Sequence, residues 1–212
     1  MSLEKYIDHT NLKPTATESD IKKLCEEAKT HGFYAVCVNG CHISLAKESL
    51  AKTDIKIAAV IGFPLGAMSP KAKIFEAVDC IENGADEIDM VINVGWLKSG
   101  MYDAVRDEIK TIKEAIGNNI LKVIIETCYL TNKEKEKACS LAVAARADYV
   151  KTSTGFGTGG ATFDDVKLMK KAVGENAKIK ASGGVKDKET ALRYIELGVS
   201  RIGTSSGPSL IK

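Results

Sequence analysis

Four charged side chains stand where a strand sequence rarely carries charge. Lys151 ends the apolar run 147–150 and is followed by a loop of glycine, serine and threonine. Asp89 lies in ADEIDMVINVG, Lys180 in AKIKASGGV and Asp8 in IDHT. Lysine is depleted in strands and is almost never fully buried unless paired. A lysine kept from water beside a second cation becomes a free amine near neutral pH, and a free amine attacks carbonyl carbon.

Each of these residues also has a purely structural explanation. A strand lysine can lie at an exposed sheet edge, Asp89 can be half of an ion pair, and Asp8 can cap a turn. Three interior charges at one end of a single sheet favour chemistry over these explanations. One lysine would then attack a carbonyl group, and a nearby carboxylate would shuttle protons directly or through water.

Strand and helix patterns alternate along the chain and must position these side chains. The predicted strands are short and mostly apolar, as strands covered on both faces should be. They span residues 6–10, 33–38, 56–61, 87–93, 121–127, 148–152, 178–182 and 200–204. Helical periodicity covers residues 19–30, 70–82, 102–116, 131–145, 163–173 and 188–197. Thr17 precedes Asp20, and Thr131 precedes Glu134, at the spacing of a capping box.

Eight strands alternating with helices predict an α/β fold, a compact (β/α)8 TIM barrel, as one domain over residues 1–212. A doubly wound open sheet is the alternative, but it would expect a GxGxxG-type turn early in the chain, and none follows the second strand. Catalytic groups of such barrels lie at the carboxyl ends of the strands.

Strand alternation places the candidate residues on one face of the sheet. Side chains two residues apart point to the same side of a strand. If Val150 and its counterparts Ile88 and Ile179 face the helices, the charged residues beside them point into the barrel. Those neighbours are Asp89, Lys151 and Lys180.

Two clusters of glycine and serine follow the seventh and eighth strands. One contains Gly183 and Gly184, and the other contains Ser205 and Ser206 before a last short helix. Glycine lets backbone N–H groups approach a ligand closely, and serine hydroxyls donate hydrogen bonds. The loops after strands seven and eight are the usual phosphate position in this fold, so the tandem predicts a phosphate site.

Composition argues against several other classes of function. The net charge is +2, from 30 basic and 28 acidic residues, which gives no support for bulk binding to nucleic acid or membranes. The first residues, MSLEKYIDHT, contain no apolar signal segment, so we expect a cytoplasmic protein. The six cysteines form no CxxC pair, and we expect no metal site. Cys37 falls near the predicted barrel mouth, where its exposure would decide its reactivity.

Six stretches of the chain are distinctive in combination. They are VIGFPLG (60–66), ADEIDMVINVG (85–95), KVIIETCYL (122–130), DYVKTSTGF (148–156), KASGGV (180–185) and GTSS (203–206). With IDHTNLKP (7–14), they make the chain resemble the deoxyribose-phosphate aldolases nearly from end to end. The resemblance implies a cofactor-free class I aldolase on a (β/α)8 barrel, acting on sugar phosphate and aldehydes as a homodimer or larger homo-oligomer.

The resemblance also implies roles for individual residues. Lys151 matches the Schiff-base lysine, Lys180 the second lysine that perturbs it, and Asp89 the acid/base carboxylate. The residues matched to substrate or phosphate binding and to ordering of the site are Asp8, Thr10, Thr154, Gly155, Gly183, Gly184, Ser205 and Ser206.

One position departs from the pattern of the family. Some members carry a phosphate-assisting lysine just after the KTSTG stretch, where this chain has Phe156. We therefore expect weaker discrimination in favour of phosphorylated aldehydes. Two alternatives to the aldolase remain open: another Schiff-base lyase or transaldolase, and a sugar-phosphate-binding barrel without catalysis.

Overall fold

A closed barrel of eight parallel strands forms the centre of the computed structural model, which describes residues 2–211. The strands are β1 (Ile7–Thr10), β2 (Ala35–Asn39), β3 (Lys56–Ile61), β4 (Glu87–Val91), β5 (Ile120–Ile124), β6 (Tyr149–Lys151), β7 (Lys178–Ser182) and β8 (Val199–Thr204). Each strand pairs with its sequence neighbours, and β8 pairs with β1. The predicted barrel is confirmed, and the open sheet is excluded.

Helices follow the strands and cover the outside of the barrel. They are α1 (Glu18–His31), α2 (Ile43–Ser49), α3 (Pro70–Glu82), α4 (Val94–Lys98), α5 (Tyr102–Ala115), α6 (Asn132–Ala144), α7 (Phe163–Val173), α8 (Lys188–Glu196) and α9 (Gly207–Leu210). The capping boxes at Thr17 and Thr131 both form, so the predicted starts of α1 and α6 are confirmed. No helix within residues 2–211 is both long and apolar enough to cross a bilayer.

The fourth and fifth strands are shorter than the apolar runs that predict them. The run through residues 87–93 leaves the sheet after Val91, and the Asn93 side chain accepts a hydrogen bond from the Trp96 N–H to start α4. The run through residues 121–127 ends at Ile124, since Glu126 adopts a left-handed backbone with φ of 53°. Apolar runs of this kind do not show where a strand gives way to a turn.

The two faces of the barrel strands differ in chemistry. Outward-facing residues such as Val36, Ile88, Val150 and Ile179 pack in one apolar core beneath the helices. The inside of the barrel is largely ionic instead of holding the branched apolar layers usual in this fold. Its buried charged side chains are Asp8, Glu87, Asp89, Lys122, Lys151, Lys180 and Arg201.

Candidate active site

Asp89 lies at the centre of the ionic cluster. Its Oδ2 accepts hydrogen bonds from the Nζ atoms of Lys151 and Lys180, both at 2.8 Å, and its Oδ1 accepts one from Lys122 Nζ at 2.6 Å. Burial alone would raise the pKa of Asp89, but contacts with Lys122, Lys151 and Lys180 hold that pKa well below its usual range. Asp89 is therefore a carboxylate shared by three lysines.

Strand register explains why these side chains meet. Asp89 on β4 is level with Lys122 on β5, and Lys151 on β6 is level with Lys180 on β7. The apolar neighbours of the predicted trio pack on the helix side of the sheet, so the predicted inward direction of Asp89, Lys151 and Lys180 is confirmed.

The two predicted lysines differ in protonation. Burial lowers the pKa of Lys151, Lys180 lowers it further, and the opposing effect of Asp89 does not restore it. Burial would also lower the pKa of Lys180, but contacts with Asp8 and Asp89 raise it above its usual range. Strand alternation alone does not distinguish the two lysines, whereas the structure makes only Lys151 of the two a candidate free amine.

Asp8 lies beneath the site instead of on a binding surface. It is fully buried, with one oxygen 2.5 Å from Lys180 Nζ and the other 2.7 Å from the Arg201 guanidinium. Burial would raise the pKa of Asp8, but Lys180, Lys122 and Arg201 lower it to about 2. Its backbone carbonyl accepts a hydrogen bond from Thr10 Oγ1 at 2.8 Å. Asp8 thus holds Lys180 in place.

Sequence reasoning missed Lys122 and Arg201, and gave no role to Glu87. Lys122 Nζ is 2.6 Å from a Glu87 oxygen, and an Arg201 nitrogen is 2.9 Å from the other. The signal that finds Asp89, Lys151 and Lys180, a charge inside an apolar strand, is also present at these positions.

A cavity of about 460 Å³ opens at the carboxyl ends of the strands. Lys151, which is only 3% exposed, reaches its lining, whereas Asp89 and Lys180 lie behind it. All the predicted binding residues except Asp8 line this cavity: Thr10, Thr154, Gly155, Gly183, Gly184, Ser205 and Ser206. The chain therefore places one buried amine at the base of a pocket walled by small polar residues.

Lysines that sequence reasoning missed also line this cavity. Lys13 comes from the loop after β1, and Lys186 follows the glycine pair at 183–184. Gly183 and Gly184 have φ of 87° and 82°, a left-handed conformation that side chains rarely adopt. A side chain at Gly183 would also collide with Gly160 of the neighbouring loop. An anion here would meet backbone, hydroxyl and ammonium donors.

Glu126 holds the loop that follows Lys151. Its carboxylate, 3% exposed, accepts hydrogen bonds from the Thr154 N–H at 3.2 Å and from the Thr154 hydroxyl. The same hydroxyl accepts a hydrogen bond from the Phe156 N–H at 3.0 Å. The Phe156 ring is half exposed and meets the Phe63 ring edge-on, with centroids 5.3 Å apart.

Cys37 is fully buried inside the barrel, and burial raises the pKa of its thiol. The open question of its exposure is thereby answered, because this thiol is neither accessible nor a thiolate near neutral pH. Among residues 2–211, no group of three or more histidine, cysteine, aspartate or glutamate side chains has a geometry that could hold a metal ion.

Comparison with known proteins points to one family. The pattern of the DeoC/LacD family aldolases matches residues 3–208. Deoxyribose-phosphate aldolase from Clostridium botulinum is 58% identical and that from Thermococcus gammatolerans 57% identical, over 100% of this chain and 100% and 96% of theirs. A solved deoxyribose phosphate aldolase from Aeropyrum pernix, described as tetrameric, superposes with a TM-score of 0.90 at 31% identity, over 99% of this chain and 89% of that one. This chain belongs to the DeoC/LacD family of aldolases.

Proposed function

We propose that this aldolase reversibly cleaves 2-deoxy-D-ribose 5-phosphate to D-glyceraldehyde 3-phosphate and acetaldehyde through a Schiff base on Lys151. The observation that carries the proposal is a buried lysine with a lowered pKa at the base of an open polar cavity. The names of the relatives from Clostridium botulinum and Thermococcus gammatolerans support this choice of substrate.

Lys151 begins the cleavage as a nucleophile. Its free amine adds to the aldehyde carbon of the open-chain sugar, and loss of water gives a protonated imine. A proton then leaves the hydroxyl on the third carbon, towards Asp89 with water and Lys180. The bond between the second and third carbons breaks, and its electron pair moves into the imine to form an enamine. Protonation of the enamine and hydrolysis release acetaldehyde and restore the amine.

Asp89 and Lys180 are suited to the proton steps by their contacts. Lys180 is held as an ammonium by Asp8 and Asp89, so it stabilises negative charge that develops near Lys151. Asp89 contacts both lysines and offers a route for a proton between them.

The far end of the cavity suits the phosphate group. The loops that carry Gly183, Gly184, Ser205 and Ser206 would surround it with N–H and hydroxyl donors. Lys13 and Lys186 add positive charge on the same lining. We also propose a homo-oligomer, by analogy with the tetramer described for the Aeropyrum pernix relative.

Borohydride trapping tests the proposal directly. The protein is incubated with acetaldehyde, reduced, digested and analysed by peptide mass spectrometry. We expect a two-carbon adduct on Lys151 and none on Lys178, an exposed lysine at the opposite end of β7. An adduct on Lys180 alone would keep the aldolase and reverse the roles of the two lysines. A folded protein that binds sugar phosphate but forms no adduct would be a binding protein instead.

A further inference from the structure

The charged groups inside the barrel do not balance when all of them are ionised. Its three carboxylates face four cations, and the members are Asp8, Glu87 and Asp89 against Lys122, Lys151, Lys180 and Arg201. All seven are almost completely buried, where an uncompensated charge is costly. Loss of one proton from one lysine brings the interior to neutrality.

Carboxylate contacts single out the lysine that gives up this proton. Lys122 is paired with Glu87, Asp89 and, at 3.9 Å, Asp8, and Lys180 is paired with Asp8 and Asp89. Lys151 is paired with Asp89 alone, and the Asp89 oxygen that it contacts also contacts Lys180. The lysine with the fewest carboxylate partners is also the one that reaches the cavity.

Glu87 and Arg201 form the floor of this ionic cluster. Arg201 binds both Glu87 and Asp8, and its guanidinium carbon lies 3.3 Å from the centre of the Tyr34 ring. Neither Glu87 nor Arg201 lines the cavity, so neither meets a substrate there. Glu87 acts on the site through its ion pair with Lys122, which in turn binds Asp89.

No other ionised group shares the interior among the residues that the structure describes. Besides the seven charged residues, β2 contributes Cys37 and β6 contributes Tyr149, and burial raises the pKa of both, so both are neutral near pH 7. Strand β3 presents Ala58 and Val60 to the interior. Towards solvent, the remaining titratable groups on the cavity wall are His9, Lys13, Asp20, Lys23, Glu27 and Lys186.

We propose that Glu87 and Arg201 are positioning residues that set the net charge of the barrel interior and thereby the pH at which Lys151 becomes an unprotonated amine, with Arg201 favouring the amine and Glu87 opposing it. The inference rests on the proposed role of Lys151 as nucleophile. It adds that the reactivity of this amine is controlled by two residues below the site that never touch the substrate.

Opposite charge changes at Glu87 and Arg201 must shift the pH at which Lys151 loses its proton in opposite directions. Glu87→Gln removes a negative charge with little change of shape, so protonation of Lys151 becomes less favourable and the amine persists to lower pH. Arg201→Gln removes a positive charge, so Lys151 retains its proton to higher pH. The pH midpoint for adduct formation on Lys151 should shift by about one unit in each variant, which is the effect expected for one buried charge near the lysine. The charge-conserving variants Glu87→Asp and Arg201→Lys should keep the parental midpoint.

The measurement is the pH dependence of adduct formation on Lys151. Each variant is treated with acetaldehyde and cyanoborohydride across a pH series, and the adduct is quantified by peptide mass spectrometry. Glu108→Gln is the matched control. Glu108 is also buried in an ion pair, 2.9 Å from Lys73, but it lies on α5 outside the barrel. This control should lose stability and leave the midpoint unchanged.

The outcomes separate this inference from the proposed function. Opposite shifts in Glu87→Gln and Arg201→Gln support the inference, and if one variant does not fold, the other with its charge-conserving partner decides. An unchanged midpoint in a folded Glu87→Gln variant overturns the inference, because Lys122 would then have lost a proton in place of Lys151. Shifts of the same size in Glu108→Gln also overturn it. Absence of any Lys151 adduct in the parent protein would remove Lys151 as the nucleophile and the inference with it, and absence of an adduct on Lys180 as well would also remove the proposed function.

Discussion

Three buried lysines around one aspartate share an environment and yet differ in acidity. Burial lowers the pKa of each, but the pKa of Lys122 and of Lys180 ends above its usual value and that of Lys151 ends below it. The difference follows the number of carboxylates that each lysine Nζ contacts: three for Lys122, two for Lys180 and one for Lys151. An uneven share of carboxylates therefore lowers the pKa of Lys151 alone among the three, as its proposed role as nucleophile requires.

Removal of that amine should abolish turnover and preserve the fold. Lys151→Ala is expected to lower kcat for deoxyribose 5-phosphate cleavage at least about a thousandfold, because it removes the amine at the base of the cavity. Its free energy of unfolding should change little, since Asp89 keeps its ion pairs with Lys122 and Lys180. Steady-state kinetics and urea unfolding measure the two effects. Lys178→Ala, on the exposed end of β7, should behave as the parent. Substantial cleavage by a folded Lys151→Ala variant would contradict the proposed role.

For single residues, the sequence predicts which side chains face the barrel interior better than it predicts their protonation states. Alternation along each strand is a local property, so it places Asp89, Lys151 and Lys180 on the inner face without a structure. The acidity of Lys180 is not local, since its partner Asp8 lies 172 residues away in the chain. Only closure of β8 on β1 brings the two strand ends to one layer.

Among the elements, the loop after β6 needs a partner outside its own sequence. Residues 153–157 contain two glycines and form no helix or strand, so nothing within the loop holds it beside Lys151. Glu126, at the end of β5, supplies the acceptors for the Thr154 N–H and hydroxyl. A carboxylate with 3% exposure that binds a loop backbone is a structural anchor for the cavity wall.

Loosening of this anchor should weaken substrate binding more than it weakens chemistry. Glu126→Gln keeps the shape but replaces a charged acceptor with a neutral amide, so we expect KM for the sugar phosphate to rise about tenfold and kcat to fall less. The control is Glu134→Gln, which changes the exposed capping box of α6 and lies away from the cavity. Steady-state kinetics measure kcat and KM for Glu126→Gln and for this control. Equal kinetic effects in the two variants would argue against a specific role for Glu126.

Lys186, in the loop after β7, provides the cavity with a positive charge that Phe156 does not provide. Lys186→Ala should raise KM for deoxyribose 5-phosphate about tenfold and leave the kinetics with unphosphorylated deoxyribose unchanged, because an ammonium–phosphate contact is lost. Phe156→Lys should act in the opposite direction and restore discrimination if Phe156 weakens it. Lys188→Ala, two residues further on and outside the cavity lining, is the matched control. A strong phosphate preference that neither substitution alters would show that the backbone and serine hydroxyls are sufficient.

Elements differ in how well the sequence reveals them. Helices α3 and α7, which have one apolar face, are predicted with the bounds that the structure gives, and the bounds of α1, α5 and α6 are predicted to within one residue. The seven-residue α2 and the five-residue α4 are missed, because a helix of about two turns or less is too short to show a clear period. Helix α4 also continues the apolar run of β4, and only the cap at Asn93 marks the change.

Over the whole molecule, the fold and the site depend on the same closure. In the register of the closed sheet, β1 pairs with β8, which sets Asp8 level with Gly203 and brings Arg201 into contact with it. The barrel interior, which in this fold usually supplies apolar stability, is occupied by ion pairs. We infer that the protein's stability depends on the charge state of its interior carboxylates, among them Asp8, which pairs with cations on β5, β7 and β8.

The pH dependence of unfolding tests this coupling of fold and site. The pKa of Asp8 falls from an ordinary 3.8 to about 2 on folding, so the charged form stabilises the folded state at pH values above 3.8. That contribution, roughly 2 kcal/mol, is lost as the pH falls from about 4 towards 2. Asp8→Asn leaves Lys180 and Arg201 without this partner and should cost about 3–5 kcal/mol at pH 7.

The stability difference between the parent and Asp8→Asn should therefore narrow below pH 4, because a protonated Asp8 pairs with the cations no better than an asparagine does. Urea unfolding followed by the fluorescence of the half-buried Trp96 measures this difference at each pH. Asp54→Asn, at an exposed position before β3, should track the parent throughout. If the difference in free energy of unfolding between the parent and Asp8→Asn stays constant from pH 7 to pH 2, the charge of Asp8 does not contribute to stability. Asp8 would then stabilise the fold through its shape and packing only.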